Sequence, residues 1–217
     1  MTISQSQAGV RIDYFALLEQ PRRPWLDLEA LQAKFFALSS HWHPDRYHQV
    51  SNEEKQKITD RFAGLNAAYH CLRDPRTRLA HLILLETGTG PNEVQTIGKE
   101  MMDLSLEIGQ ACQRADRLHT ERVQATSAIR KAQIFQELLM QTERLREITD
   151  VLNGRGTELE RTIRTMDAEW HAADLSGNVE QKGLLLQRME EIYRELSYLH
   201  RWAAQTRERV IREAAVS

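Results

Sequence analysis

Apolar residues along this chain recur at steps of three and four, the spacing of one helix face, and turn-forming residues break the pattern at defined points. Asp13 to Glu19 reads as a short helix with Tyr14, Phe15, Leu17 and Leu18 as its apolar material; Pro21 and Pro24 then stop it. Asp27 is a good N-cap for a second helix that should bury Leu28, Leu31, Phe35 and Leu38. That helix must end near Trp42, because Pro44 disfavours the helical state at His43. A polar connection from Arg46 to Val50 follows. Ser51 with Glu54 forms a capping box for a third helix, whose buried stripe is Ile58, Phe62, Leu65, Ala68, Tyr69 and Leu72. Arg73-Asp74-Pro75 marks its end, and Pro75 suits the first position of a fourth helix carrying Leu79, Leu82, Ile83 and Leu85.

Thr87 to Glu93 reads TGTGPNE and is the clearest linker. Three longer stripes lie beyond it. Met101, Leu104, Ile108, Cys112, Ala115 and Leu118 make the first. Ile134, Leu138, Leu145, Ile148, Leu152, Leu159, Ile163, Met166 and Trp170 make the second, with Gly154 and Gly156 expected to bend or pause it. Leu185, Met189, Ile192, Leu196, Leu199, Ala203 and Val210 make the third, in heptad spacing over its first six members. The turn between the last two helices falls at Leu175-Ser176-Gly177-Asn178. The expected fold is all-α: a flexible tail at 1–12, a four-helix antiparallel unit at 13–88, a linker at 89–94 and a three-helix bundle or coiled-coil arm at 95–217. Trp170 and Trp202 are expected to pack within that bundle, and the regular heptad allows self-association through the C-terminal helices.

Composition narrows the function. Hydrophobic residues are 41% and charged residues 28% of 217, a balance that suits long solvated helices. Residues 1–90 hold 11 basic and 10 acidic side chains and the rest hold 18 and 21, so neither part argues for nucleic acid. No apolar run is long enough to cross a bilayer, and the polar start predicts a cytoplasmic location. The two cysteines, Cys71 and Cys112, form no CxxC pair. Both read as small buried hydrophobes.

The chemistry concentrates in His43-Pro44-Asp45, between the second and third helices. Pro44 stiffens that connection and leaves His43 and Asp45 free of any core role. A carboxylate held on a stiff loop suits a partner arginine, and Trp42 is expected to pack beside the tripeptide and orient it. The tripeptide stands in a wider pattern: Asp13-Tyr14-Phe15, then Trp42-His43-Pro44-Asp45-Arg46, then Leu65-Asn66-Ala67-Ala68-Tyr69, then Leu72-Arg73-Asp74-Pro75. In order and spacing, residues 13–86 resemble the J-domain family. The resemblance implies that His43, Pro44 and Asp45 contact a DnaK-type ATPase and stimulate ATP hydrolysis. The nucleotide and catalytic groups would then belong to the partner, and this chain would be no enzyme and need no cofactor. J-domains usually carry basic residues on the second helix; this one offers Lys34, His41 and, just after, Arg46, so a weak, salt-sensitive contact is expected.

A J-domain followed directly by a helical bundle resembles the HscB-type co-chaperones of iron–sulfur cluster assembly. That resemblance implies a client, the cluster scaffold protein, held by an apolar and acidic patch near the start of the bundle. Met101, Met102, Asp103 and Leu104 fall there. Ser105 stands where the family prefers an apolar residue, and Leu106 where it prefers an acidic one. Adjacent helical positions point about 100° apart, so one of Met101 and Met102 should be exposed. Two other readings compete. One is a coiled-coil adaptor with a degenerate J-domain. The other is a metal hydrolase, because His41-Trp42-His43-Pro44-Asp45-Arg46 nearly spells HxHxDH; Arg46 stands where the last ligand would be, and ligand count and geometry oppose it. His48, His70 and His81 read as surface or core residues.

Overall fold

The computed structural model describes residues 12–47, 50–92 and 98–214. The expected tail up to residue 11, His48 and part of the linker lie outside them. Among the described residues the chain forms helices and no strand. The helices are α1 (Tyr14–Leu17), α2 (Leu28–His41), α3 (Asn52–Arg73), α4 (Pro75–Thr87), α5 (Lys99–Gln124), α6 (Ala128–Ser176) and α7 (Val179–Ala214).

Local chemistry sets most boundaries. Asp13 caps α1 by accepting from the Phe15 and Ala16 amides, and Asp27 caps α2 through those of Glu29 and Ala30. Ser51 and Glu54 complete the capping box on α3. Asp74 caps α4 through Thr77 N, with Pro75 at its first position. Gly88, in the left-handed region at φ 79°, closes α4. Between α6 and α7, Gly177 at φ 65° turns the chain and the Asn178 side chain accepts from Gln181 N.

The chain packs as two compact units. The first joins residues 1–91 to the hairpin end of α6 and α7, residues 163–190. Within it α3 is the hub, packing against α1, α2 and α4. Phe15, Leu18, Leu31, Leu65, Leu72, Leu79, Leu82 and Ile83 are buried in its core, each contributing on the order of 2 kcal/mol. A Cβ at Gly64 would meet Leu17 Cδ2 of α1 at 3.4 Å, an ordinary contact. One expectation changes here: Leu28 is 50% exposed, and Leu26 in the preceding loop is buried instead. His81, read as a surface or core residue, is in the core, and its Nε2 accepts from Tyr14 N at 3.0 Å. The buried Arg78 ties the N-terminal loop to the end of α3 through Pro24 O at 2.8 Å and Leu72 O at 2.7 Å.

The hairpin end contributes Ile163, Met166, Trp170 and Ala173 from α6, with Leu185 and Met189 from α7. Trp170 Nε1 donates to Arg22 O at 2.9 Å, so this tryptophan meets the N-terminal loop. The buried carboxylate of Asp167 takes two bonds from Arg23, and Arg164 lies over the Trp25 ring at 5.0 Å. Lys182 reaches Glu86 at 2.9 Å and stands over Trp170 at 4.8 Å. The sequence places the boundary at 89–94, whereas the packing joins residues 163–190 to the N-terminal helices.

The second unit holds residues 92–162 and 191–217. Here α5 and α6 run antiparallel, registered by Gln141 Nε2 to Ala111 O at 2.9 Å and by the pair of Arg144 with Glu107. The α7 segment runs with α5, since Arg209 and Arg212 both reach Asp116 and Glu213 reaches His119. Their three stripes bury Ile108, Cys112, Leu145, Ile148, Ile192 and Trp202 among others. The expected interruption at Gly154 and Gly156 does not occur: α6 runs unbroken from Ala128 to Ser176.

Candidate functional site

The tripeptide is built by the end of α2. Pro44 cannot supply an amide to the preceding helix and the helix stops, with Trp42 as its C-cap. Pro44–Arg46 then form a single 3-10 turn whose cap is His43. His43 Nδ1 accepts from Asp45 N at 3.3 Å, and that bond requires Nδ1 to be unprotonated. The His43 ring also sits edge-on to Phe62 of α3, 5.3 Å between centroids.

Two contacts escaped the sequence reading. Arg46 Nη1 donates to Ser40 O at 3.0 Å, and Tyr47 OH donates to His41 O at 3.0 Å. Both tie the turn back to carbonyls left open at the end of α2. The only signal for them was the position of Arg46 and Tyr47 directly after the tripeptide. Trp42 is half-buried, lies edge-on to His41 at 5.2 Å and carries the Arg61 guanidinium at 5.9 Å over its ring.

The result is a braced turn from which Asp45 projects with 81% of its side chain exposed. The His43 ring lies beside it, with Nδ1, the nitrogen that accepts the Asp45 amide, 3.7 Å from the carboxylate. The turn offers a positioned carboxylate to an outside donor. The basic side is sparser than the sequence suggests. Lys34 forms an ion pair with Glu19, and Arg46 is turned back onto the helix end. The outward face of α2 carries Ala30, Ala33 and Ala37, with Phe36 56% exposed.

The second group of expected residues lies on the first turns of α5. Met102 is 57% exposed and Asp103 is exposed beside it; Met101 and Leu104 are half-buried. Leu106, one turn on from Met102, is exposed as well. Burial pushes the Cys71 thiol up to about 11 and raises that of Cys112. Among the described residues no group of three or more His, Cys, Asp and Glu gathers closely enough to hold a metal ion, and no helix is long and apolar enough to cross a membrane.

Four N-terminal helices with an exposed His-Pro-Asp turn after the second, continued by long paired helices, define an all-α J-domain fold with a C-terminal helical bundle. Within that class the chain is HscB-like. It is 30% identical over 86 residues to the co-chaperone protein HscB of Proteus mirabilis (strain HI4320), a match covering 40% of this chain and half the length of that relative. In fold it is similar to chaperone HscB from Vibrio cholerae, with TM-score 0.56 and 16% identity over 91% of this chain and 96% of that one. It is likewise similar to human co-chaperone protein HscB, with TM-score 0.58 and 18% identity over 92% and 82%. No family model matches the chain.

Proposed function

We propose that this protein is a J-domain co-chaperone that stimulates ATP hydrolysis by a DnaK-type chaperone and delivers a client bound to its C-terminal bundle. The observation that carries this reading is Asp45, projecting from a turn braced by Tyr47, Arg46 and His43. A carboxylate so held can take a charge-assisted hydrogen bond from a partner arginine without first being ordered. His41, Lys34 and Arg46 flank it as the cations of the same face. The protein does no covalent chemistry itself, needs no cofactor and acts in the cytoplasm. The client is the iron–sulfur cluster scaffold, in keeping with the likeness to HscB proteins. It contacts Met102 and Asp103, with Met101 and Leu104 behind them.

Single-turnover ATP hydrolysis by the cognate chaperone tests the reading. Wild-type protein should accelerate turnover, and Asp45→Asn should return the rate to that of the chaperone alone. Wild type and variant both matching the chaperone alone would refute it. Stimulation should weaken as salt rises, because a few solvated charges guide the encounter.

A second reading is an adaptor with a degenerate J-domain and oligomerising helices. The pairing of Lys34 with Glu19 and the nearly uncharged outer face of α2 favour it. Sedimentation over a range of concentrations, with chaperone binding measured alongside, separates the two: a stable oligomer without chaperone contact supports the adaptor.

A further inference from the structure

Helix α5 turns one continuous strip to solvent. Met102, Leu106, Gln110, Gln113 and Arg117 step by four, four, three and four, so they share a face, and all five are exposed. The strip changes in kind along its length. It starts apolar, becomes amide-bearing and ends basic. At its far end it borders an open groove of about 500 Å³, lined by Gln110, Gln113, Arg114, Arg117, Leu118 and Glu121 of α5 and by Arg130 and Glu137 of α6.

Arg130 is already neutralised by Glu121 at 2.6 Å and Glu137 at 3.6 Å. Arg122, Arg209 and Arg212 of the same unit also meet carboxylates. Among the described residues, Arg114 and Arg117 do not. They lie one turn apart, where like charges repel. Acidic residues outnumber basic ones over residues 91–217, 21 to 18, so carboxylates for pairing are not scarce in this part of the chain.

We propose that this groove docks an acidic segment of a partner protein, with Arg114 and Arg117 receiving its carboxylates and Met102 and Leu106 meeting an adjoining apolar surface. This rests on the reading of the bundle as the client-holding part and specifies the client's chemistry. At 1.5 Å per residue, the carboxylates must lie about 12–17 Å from the apolar contact, the axial distances from Leu106 to Arg114 and Arg117. Two arginines can each grip a carboxylate with two parallel bonds. Residues 91–217 carry more acidic than basic side chains, 21 to 18, which disfavours a nucleic-acid backbone, whose binding grows with the number of phosphates neutralised.

Titration calorimetry of the full chain with the cluster scaffold protein tests this at low and high salt. The variants are Arg114→Glu with Arg117→Glu, and separately Met102→Ser; circular dichroism confirms that each stays helical. The double reversal should weaken binding at least tenfold and abolish the salt dependence seen with wild type. If it leaves affinity within twofold while Met102→Ser weakens binding, the client reading stands and the groove is refuted. If the scaffold does not bind wild type, the client identity fails, and a second probe decides the groove. That probe is a labelled helical peptide with a leucine pair followed by glutamates, set against its glutamine counterpart. Preference for the glutamate peptide, lost on double reversal, supports the groove. Equal binding of the two peptides overturns it, as does an RNA oligonucleotide bound through these arginines in place of the peptide.

Discussion

Asp45 depends on neighbours that never touch a partner. Tyr47 OH and Arg46 Nη1 hold carbonyls at the end of α2, and His43 Nδ1 holds the Asp45 amide. Each such bond is worth roughly 1 kcal/mol. Tyr47→Phe should therefore leave the fold intact while loosening the turn. Amide exchange at residues 45 and 46 should quicken several-fold, and half-maximal ATPase stimulation should need more protein. His81 adds a pH dependence. Burial pushes its ring below the usual 6.5; Asp13 opposes this and Arg22 adds to it. Folding thus favours the neutral ring, whose Nε2 accepts from Tyr14 N. This contribution is complete above pH 6.5 and is lost as pH falls from there through the lowered folded value. Thermal melts between pH 5 and 7.5 should show wild type losing stability toward the acid end, with a flatter profile in His81→Gln. The helix caps Asp27 and Ser51 were legible in the sequence because a cap acts within three residues, whereas the capping roles of Asp13 and Asp74 emerged from the structure. The bond between Tyr14 and His81 was not, because 67 residues separate its partners.

Periodicity located the helices well and their burial less well. Leu28 lies on the same face as Leu31 and Phe35 by helical arithmetic, yet only Leu31 of the three is fully buried. Spacing specifies a direction around a helix, not how far along it the neighbouring helix extends. Leu31→Ala should cost about 2–5 kcal/mol and Leu28→Ala well under half of that, measured by urea unfolding. Gly154 and Gly156 make the converse case. Both lie inside the unbroken α6, and a Cβ at either would meet nothing within 4 Å. Changing each to Ala should stabilise the protein by about 0.5–1 kcal/mol through the unfolded chain, read as a rise in unfolding midpoint. The buried stripe passing through Ile148, Leu152 and Leu159 outweighs the poor helix propensity of the two glycines.

Across the whole molecule, the most consequential contact joins residues 144 apart. Arg23 grips the buried Asp167, and Trp170 nearby donates to Arg22 O. Asp167→Ala should cost roughly 2–3 kcal/mol, because it removes the buried partner of a charge that stays partly desolvated. Hydrogen exchange should show the loss first in residues 20–26, with α5 unaffected. Helix content, order, caps and the exposed His-Pro-Asp turn follow from neighbours within about four residues, so the sequence alone carried them. That one of Met101 and Met102 faces outward followed in the same way; the structure decides that it is Met102. Folding together was needed to choose which face of the hairpin meets the N-terminal loop, to draw Lys34 onto Glu19 and to leave Arg114 and Arg117 without carboxylates. Those outcomes turn on which side chains meet across tens of residues, and local spacing holds no record of that.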